Sequence, residues 1–360
     1  MNTNVFSLIS FTGKNYIKQT LAGCMSLFIV SAAFAQQSVK FTPKPAEKKI
    51  DITIGGKLFT SYIYIDSLDK PVLFPVLTPS GIAVTRGFPL APRSGERTDH
   101  PHHFGIWFNY GDVNGLDFWN NSYAIKEADK PHYGSIHHQQ IVSMKEGKKR
   151  GELVVTANWV DYKGNILLKE LTRMVFSGDA GSRSVERTTT LTAQNTRVEF
   201  KDSKEGMFGI RVCRELEMPS NKAEIFTDAS GIPTKVPVLN NEGVTGNYLT
   251  SEGRTGEDAW GTRAKWVLLH GTKAGRPVSI SMFDYPANPG YPSYWHARGY
   301  GLFAANPLGQ EIFSNGKEKL DFTLPPGASA TFRFKLVVNE DNVPDAAALN
   351  KTAAQFEASR

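Results

Sequence analysis

The feature that most constrains the fold is a repeated alternation of apolar and polar residues in short runs that end at glycine, proline or asparagine. In the clearest case, Ile50, Ile52 and Ile54 alternate with polar residues, Gly55-Gly56 interrupts, and the alternation resumes over 58–65. A period of two is typical of a half-buried strand, and a two-residue glycine turn joins two such strands. The pattern predicts a β-hairpin at the start of the domain.

Similar runs recur along most of the chain, and only the C-terminus has a helical pattern. There, Pro344 suits a first helical turn and good helix formers fill 346–356. Strands that follow strands, with few helical patterns between them, indicate antiparallel sheets packed face to face. The further predicted strands are 151–160, 166–176, 183–192, 198–213, 266–270, 278–283 and 320–338, the last broken at Pro325-Pro326-Gly327.

The length and composition of the chain fit one large β domain. Its 360 residues are 40% hydrophobic and include 32 Gly and 20 Pro, which supplies a sizeable core and many turns and excludes a disordered protein. No repeat of fixed period is present, so a propeller is not favoured. We therefore predict a mainly β, large antiparallel β-sandwich over 50–360 with a short C-terminal helix, preceded by a lead-in segment at 36–49. By size and analogy, the expected architecture is the galactose-mutarotase-like supersandwich.

The first 35 residues have the pattern of a secretory signal peptide. A polar stretch with Lys14 and Lys18 precedes an apolar run over 21–34, and Ala33-Phe34-Ala35 forms an A-x-A cleavage site. An alternative is lipoprotein anchoring at Cys24, which follows Leu-Ala-Gly. Because the apolar run follows Cys24 instead of preceding it, we expect plain export to the periplasm.

The composition of the chain after residue 35 argues against several kinds of partner and linkage. The first 35 residues contain two of the 41 basic residues and no acid, so 39 bases face 35 acids and the net charge is +4. Since no block of Lys and Arg accompanies this small excess, no nucleic-acid partner is expected. After cleavage Cys213 is the only cysteine, which excludes an intramolecular disulfide. No later apolar run reaches about 18 residues, so no integral membrane span is expected.

Three histidines in four positions mark the first candidate site, in the segment 97–108 (RTDHPHHFGIWF). His100, His102 and His103 are costly to bury without hydrogen-bond partners. Imidazole exchanges protons near neutral pH and also binds metals. The cluster therefore predicts acid-base catalysis, a metal site or a hydrogen-bonded buried loop; the glutamate of a cupin-type metal site is missing, so no cofactor is expected. Nearby candidates for substrate binding are Trp107, Asp117 and Trp119.

Two later segments carry the other candidates. In 202–211 (DSKEGMFGIR), strand alternation would place Glu205 and Arg211 on one face. A surface salt bridge is the alternative for this pair. The segment 284–306 is rich in Pro, Gly and aromatic residues, as carbohydrate sites are, because sugar rings stack on aromatic faces while polar side chains bind hydroxyls. Its candidates are Asp284, Trp295, His296, Arg298 and Asn306.

Together, the segments 98–119, 202–211 and 284–306 resemble the PmoA-like family of exported bacterial proteins labelled methane oxygenase PmoA. Weaker similarity extends from about Leu73 to the C-terminus. Membrane methane oxygenase subunits span the bilayer several times, and this sequence offers no such segment beyond the signal peptide. The resemblance therefore implies an exported β-sandwich protein of bacteria that degrade polysaccharides, and not an oxygenase.

The sequence as a whole predicts a periplasmic carbohydrate-active enzyme, a hydrolase, lyase or epimerase. One of the three clustered histidines is the expected general acid, and Glu205 or His296 the expected base. Arg211 and Arg298 would bind oxygens, and Trp107 or Trp295 would stack on a sugar ring. The alternatives are a non-catalytic glycan-binding protein and a metal-dependent, cupin-like or oxygenase enzyme.

Overall fold

A computed structural model describes residues 36–227, 232–236 and 240–359, so the predicted signal peptide lies outside the described residues. Within these ranges the chain forms two α-helices, α1 (Gln310–Ser314) and α2 (Ala346–Ala358), and twenty strands. The strands are β1 (Val39–Lys44), β2 (Lys49–Ile54), β3 (Lys57–Ile63), β4 (Val72–Leu73), β5 (Ile106–Tyr110), β6 (Ser135–Lys145), β7 (Arg150–Val160), β8 (Ile166–Gly178), β9 (Ser182–Ala193), β10 (Val198–Glu199), β11 (Gly206–Arg211), β12 (Glu224–Thr227), β13 (Pro233–Val236), β14 (Asn247–Thr250), β15 (Trp266–Lys273), β16 (Arg276–Asp284), β17 (Tyr294–Ala297), β18 (Leu302–Asn306), β19 (Thr323–Leu324) and β20 (Ser329–Glu340).

Two eight-stranded sheets contain most of these strands. The first has the order β1-β2-β3-β4-β5-β11-β18-β17, and the second has the order β14-β15-β16-β20-β9-β8-β7-β6. Neighbouring strands pair antiparallel in both sheets. The pairs β10-β19 and β12-β13 form two smaller sheets. The fold is thus mainly β and antiparallel, as the sequence predicted.

Aromatic side chains from the two sheets meet in the core between them. Phe208 of β11 stacks on Phe334 of β20 with ring centroids 5.3 Å apart, and Phe108 of β5 lies 6.1 Å from Phe332. All four rings are buried. Burial of each large apolar side chain contributes about 1.5–3 kcal/mol, so these contacts hold the two sheets face to face.

The fold begins earlier than the sequence predicted. The hairpin of β2 and β3 is confirmed, but the expected lead-in contains β1, whose six residues all pair with β2. Val39 and Phe41 alternate towards the core and are buried. Only these two apolar residues lie among Lys, Thr and Pro in β1, which is too few to reveal a strand from periodicity.

The predicted strand over 198–213 is interrupted. The chain forms β10, leaves the sheet, and then forms β11, which lies in a different sheet. The predicted break at 325–327 is confirmed, because β19 and β20 lie on either side of it. The interruption before β11 matters for function, since it places Glu205 at the end of a loop, directly before an interior strand of the first sheet.

The C-terminal helix lies on the outer face of the second sheet. Asp345 caps α2, its carboxylate accepting the Ala348 backbone N–H at 2.8 Å. Leu349 and Phe356 of α2 are buried with Trp266 of β15. Helix α1 has only five residues and was not predicted. No helix within the described ranges combines the length and apolar character that crossing a membrane requires.

Candidate active site

The candidate site lies on the face of the first sheet that points away from the second sheet. Pairing aligns Trp107 of β5 with Gly209 of β11, Gly209 with Ala304 of β18, and Ala304 with His296 of β17. A Cβ atom on Gly209 would lie 2.9 Å from Cζ2 of Trp107, so the missing side chain leaves room for the indole. The row therefore has a large side chain at each end and small residues between them.

Four stacked rings form a column at one end of this row. Tyr300 stacks on His100, His100 on His103, and His103 on Trp107, with ring centroids 5.2, 5.0 and 5.3 Å apart and interplanar angles of 3°, 6° and 13°. Trp119 packs its edge against His103 at 5.5 Å. The column runs from the half-buried Tyr300 to the fully buried Trp107.

A buried arginine holds the histidine loop in place. The Arg86 guanidinium donates to the carbonyl oxygens of Asp99, His100 and His103 at 2.7, 2.8 and 2.8 Å. The side chain of Arg86 is fully buried, so these bonds replace its hydration. His100 has a φ of 46°, a left-handed conformation that is uncommon outside glycine. Arg86 thus fixes a backbone shape that the loop alone would not favour.

Asp99 orients His100. One oxygen of Asp99 accepts from Arg211 and Arg86, each at 2.8 Å, and the other is 2.6 Å from Nδ1 of His100. Burial alone would raise the pKa of Asp99, but Arg211, His100 and Arg86 outweigh it and hold that pKa far below its usual range. Nδ1 of His100 therefore donates to a carboxylate, and Nε2 is left for another partner. The imidazole is 41% exposed.

His102 and His103 are buried and neutral. Burial, together with nearby positive charges, lowers the pKa of His102 to about 2 and that of His103 well below its ordinary value. Arg211 donates to Nδ1 of His103 at 3.3 Å, so the ring proton of His103 is on Nε2. Of the three clustered histidines, only His100 reaches solvent.

The enclosed end of the column contains several polar atoms that have no hydrogen-bond partner among the described residues. All belong to side chains at most 7% exposed, and buried donors of this kind normally bind ordered water or a ligand. Lys70 also lies against this end, its ammonium 5.9 Å from the ring centroid of Trp107. The atoms are Nε2 of His102, Nε2 of His103, Nε1 of Trp107, Nε1 of Trp119 and Nζ of Lys70.

His296 lies at the other end of the row, and both of its nitrogens are occupied. Nδ1 donates to the carbonyl oxygen of Lys204 at 3.0 Å, and Nε2 accepts from Nε of Arg298 at 3.2 Å. Burial, with the charges of Arg298 and Lys204, lowers the pKa of His296 to about 3. A neutral imidazole with both nitrogens engaged positions its neighbours and does not exchange protons near neutral pH.

Glu205 lies beside His296, with a carboxylate oxygen 3.7 Å from Nδ1 of the ring and a side chain 20% exposed. Burial raises the pKa of Glu205, the negative charge of Asp117 adds to the effect, and Lys204 and His100 oppose it. Glu205 and His100 are therefore close enough for each charge to influence the other. Two partly exposed ionisable groups thus lie near the row, within electrostatic range of each other.

A cleft of about 710 Å³ adjoins the site. Tyr300 and Arg298 belong both to the site and to the cleft wall. Trp260, 38% exposed, lies under the Arg298 guanidinium at 4.5 Å and also lines the cleft. The volume is within the usual range for small-molecule pockets.

The structure places other predicted residues in the scaffold. Trp295 is fully buried on the core side of the first sheet, and its Nε1 donates to the Ala264 carbonyl oxygen. It cannot stack on a sugar, and that prediction is wrong because strand alternation turns Trp295 away from its neighbour His296. Asp284 is buried at the end of β16, where it accepts from Asn288 and from the Ser293 backbone N–H.

Asp117 and Asn306 also organise loops. Asp117 accepts from the backbone N–H groups of Trp119 and Asn120, and Asn306 donates to the Ser203 carbonyl oxygen. Neither presents a free side-chain group to the site. Asp117 still acts there through its charge, which raises the pKa of Glu205.

Several residues of the site were missed by sequence reasoning. Asp99 and Tyr300 lie inside the candidate segments and could have been selected as the partners of His100. Arg86, Lys70 and Trp260 stand alone in unremarkable sequence, and only the folded chain brings them to the site. They reach the site because segments far apart in the sequence come together in the fold, and no local sequence pattern indicates this.

The three histidines do not form a metal site in this structure. Among the described residues, no group of three or more His, Cys, Asp and Glu side chains is arranged to hold a metal ion. Instead, His100 and His103 stack face to face, and His102 packs edge-on against His103 with centroids 4.1 Å apart.

A family profile covers residues 49–354 and carries the description "Family of unknown function (DUF6807)". The chain belongs to this family. The resemblance to the PmoA-like family is therefore wrong, since the profile that matches is that of DUF6807. No protein with a curated description matches this DUF6807 chain.

Solved structures similar to this DUF6807 protein include three carbohydrate enzymes or enzyme-like proteins. The galactosidase domain of an alpha-galactosidase-sucrose kinase has a TM-score of 0.40 and 7% identity, over 84% of this chain and 41% of that one. A galactose mutarotase-like protein from Clostridium acetobutylicum has a TM-score of 0.37 and 12% identity, over 84% and 99%. Galactose 1-epimerase from Lactobacillus acidophilus has a TM-score of 0.34 and 10% identity, over 86% and 100%.

Proposed function

We propose that this protein is an exported, periplasmic enzyme that performs acid-base chemistry on a sugar or glycoside, with His100 and Glu205 as its catalytic pair. The proposal is carried by the placement of these two partly exposed groups: their charges interact, and each lies next to the residues that connect to the wall of the aromatic cleft, Tyr300 for His100 and His296 with Arg298 for Glu205. Hydroxylated substrates react through proton transfers, which a His and a carboxylate on opposite sides can supply. Epimerase, lyase and hydrolase reactions all fit this arrangement.

His100 is the histidine best suited to the role of general acid. Its Nδ1 donates to Asp99, so Nε2 is the nitrogen left to exchange a proton with a substrate. His102 and His103 are enclosed and neutral, which leaves them unable to donate a proton to a substrate at ordinary pH.

Glu205 is the better base of the two predicted candidates. Burial raises its pKa, which makes the carboxylate a stronger proton acceptor than an exposed one. His296 has no free nitrogen and instead packs beside the carboxylate of Glu205. In this mechanism Glu205 removes a proton from a sugar hydroxyl or carbon while His100 protonates an oxygen across the ring.

The site offers side chains that suit the oxygens and the ring faces of a sugar substrate. Tyr300 and Trp260 offer aromatic surfaces, and Arg298 offers a guanidinium beside them. These same groups support a second candidate, a glycan-binding protein that does not change its ligand. Chemical change of a bound sugar separates the two candidates.

The test is a substrate screen. NMR monitors the interconversion of anomerically pure sugars, and absorbance monitors the hydrolysis of aryl glycosides and the formation of unsaturated products. We expect the wild type to accelerate one of these conversions and both His100→Gln and Glu205→Gln to slow it by about 10²–10⁴-fold. His137→Gln and Glu242→Gln are matched controls, because both side chains are exposed away from the site. Retention of full turnover by either site variant would overturn the catalytic assignment, and an intact bound sugar would favour the binding protein.

Export has its own test. Expression of the full chain in a Gram-negative host should yield a periplasmic protein whose N-terminus is Gln36. A cytoplasmic product that retains Met1, or a lipidated N-terminus at Cys24, would contradict plain export.

A further inference from the structure

The cleft beside the candidate site contains two positively charged side chains that no carboxylate neutralises. Arg298 donates through Nε to His296, and its guanidinium lies over Trp260. Lys222 is exposed on the same cleft wall. Among the described residues, neither Arg298 nor Lys222 forms an ion pair. Glu257 is the acidic residue that lines this cleft.

Arg298 is the more informative of the two cations. Its side chain is half-buried, so the guanidinium has lost part of its hydration. Among the described residues, no carboxylate forms an ion pair with it, although half-buried arginines usually have one. Its Nε and its ring contact are already used within the protein, which orients the planar group and leaves the two terminal nitrogens for a ligand. A guanidinium presented in this way suits bidentate binding of a carboxylate.

The two arginines that act on Tyr300 differ in their partners. Burial raises the pKa of the Tyr300 phenol, Arg211 and Arg298 act in the opposite direction, and Glu205 and Asp99 add to the rise. Arg211 forms an ion pair with Asp99, which also pairs with Arg86. Arg298 has no such counterpart.

We propose that this cleft is a subsite for a negatively charged sugar unit, a uronate, whose carboxylate binds Arg298 and Lys222 while its ring packs against the exposed part of Trp260. The inference rests on the proposed function, since it names the substrate class of the same site. Tyr300 contacts both His100 and the cleft, so a uronate bound here would lie directly beside the catalytic pair.

Binding of matched sugar pairs tests the subsite without requiring turnover. The probes are methyl β-glucuronide against methyl β-glucoside, and methyl α-galacturonide against methyl α-galactoside, measured by calorimetry with the Glu205→Gln protein. In each pair the two sugars differ only by a carboxylate in place of a CH₂OH group. We expect one acid to bind at least tenfold more tightly than its neutral partner, and higher salt to reduce that ratio.

Variants locate the effect in the cleft. Arg298→Gln should lose the tenfold preference, Arg298→Lys should recover part of it, and Trp260→Ala should weaken both members of a pair about equally. Lys57→Gln, which removes an exposed cation on the hairpin, is the control and should leave the ratio unchanged. Equal or tighter binding of the neutral sugars, no binding of either acid at millimolar concentration, or a preference that survives Arg298→Gln would overturn the proposal.

The result also separates this inference from the proposed function. If acid-selective binding depends on Arg298 but Glu205→Gln keeps full turnover of a sugar, the subsite stands and the catalytic pair fails. If Glu205→Gln abolishes turnover of neutral sugars that bind as well as the acids, the catalytic pair stands and the uronate subsite fails.

Discussion

The two ends of the aromatic column contain the same kinds of side chain in opposite environments. At the Tyr300 end, the His100 imidazole is 41% exposed and is held by Asp99. At the Trp107 end, His103 is 1% exposed, and burial keeps it neutral. Two histidines three positions apart in one loop are thus suited to different tasks, proton exchange and packing.

The difference teaches that burial and orientation, and not residue type, select the reactive histidine. The rings are parallel and only 5.0 Å apart, so stacking is common to both. What differs is a carboxylate at Nδ1 of His100 and an arginine at Nδ1 of His103. The carboxylate orients the His100 ring and leaves Nε2 for a substrate, whereas burial and nearby positive charges lower the pKa of His103.

Replacing each histidine in turn should separate the two ends most clearly. His100→Gln should reduce kcat/KM by about 10²–10⁴-fold, the usual contribution of a general acid, with little change in the free energy of unfolding. His103→Leu should instead lower that free energy by about 1–3 kcal/mol, because Arg211 loses its buried acceptor. Turnover assays and urea unfolding measure both, and a loss of turnover in His103→Leu without lost stability would break the comparison.

Arg86 connects both ends through the backbone of the loop. Arg86→Met removes the donor to four carbonyl oxygens and one of the partners of Asp99, so we expect about 3–5 kcal/mol of destabilisation. Arg150→Met, at an exposed position that forms no ion pair with any residue the structure describes, should stay within about 0.5 kcal/mol of wild type. Urea unfolding that shows equal stability for the two variants would mean that the loop holds its shape without Arg86.

Burial at the enclosed end of the column should also change how the free energy of unfolding depends on pH. His102 has a pKa of about 2 when folded and about 6.5 when unfolded, so the unfolded chain binds more protons at acidic pH. The contribution of neutral His102 is complete above pH about 6.5 and is lost as the pH falls. The stability advantage of wild type over His102→Gln should therefore shrink by about 1.4 kcal/mol per pH unit below that point, and urea unfolding at pH 7, 6 and 5 measures it. An advantage that does not change with pH would show that His102 is not enclosed.

The smallest effect concerns the packing under Trp107. Gly209→Ala places a Cβ 2.9 Å from the indole and 3.3 Å from Cβ of Ala304, which we expect to cost about 1 kcal/mol. Gly299→Ala is the control, since its Cβ would meet Met218 at an ordinary 3.4 Å. Thermal unfolding measures the stability of both variants, and equal stability would show that the packing around Trp107 accommodates a Cβ at position 209.

The sequence revealed the fold where periodicity was strong. The alternation of Ile50, Ile52 and Ile54 predicted the hairpin correctly, and the β-sandwich followed from strands succeeding strands. The strand β1 was missed because Val39 and Phe41 are its only buried apolar residues. Short strands with few apolar residues depend on their neighbours, and local sequence does not carry that information.

The site was predictable only in part. The histidine segment, Glu205 and Arg298 were recognised from their composition, and the structure brings them to one face of one sheet. Trp295 was assigned wrongly because an aromatic residue next to a polar one in a strand points to the opposite face. Arg86 and Trp260 contact the site across long sequence separations, so their roles depend on the complete fold.

The central claim is that His100 and Glu205 lie within electrostatic range of each other, and a titration of the Glu205 carboxyl by carbon-13 NMR tests it without any substrate. In wild type the pKa of Glu205 should lie above its ordinary value, because burial outweighs the nearby positive charges. In His100→Gln it should rise further, since a positive charge that lowers it is removed, while His137→Gln should leave it unchanged. A pKa for Glu205 at its ordinary value, or one that His100→Gln does not move, would contradict the account.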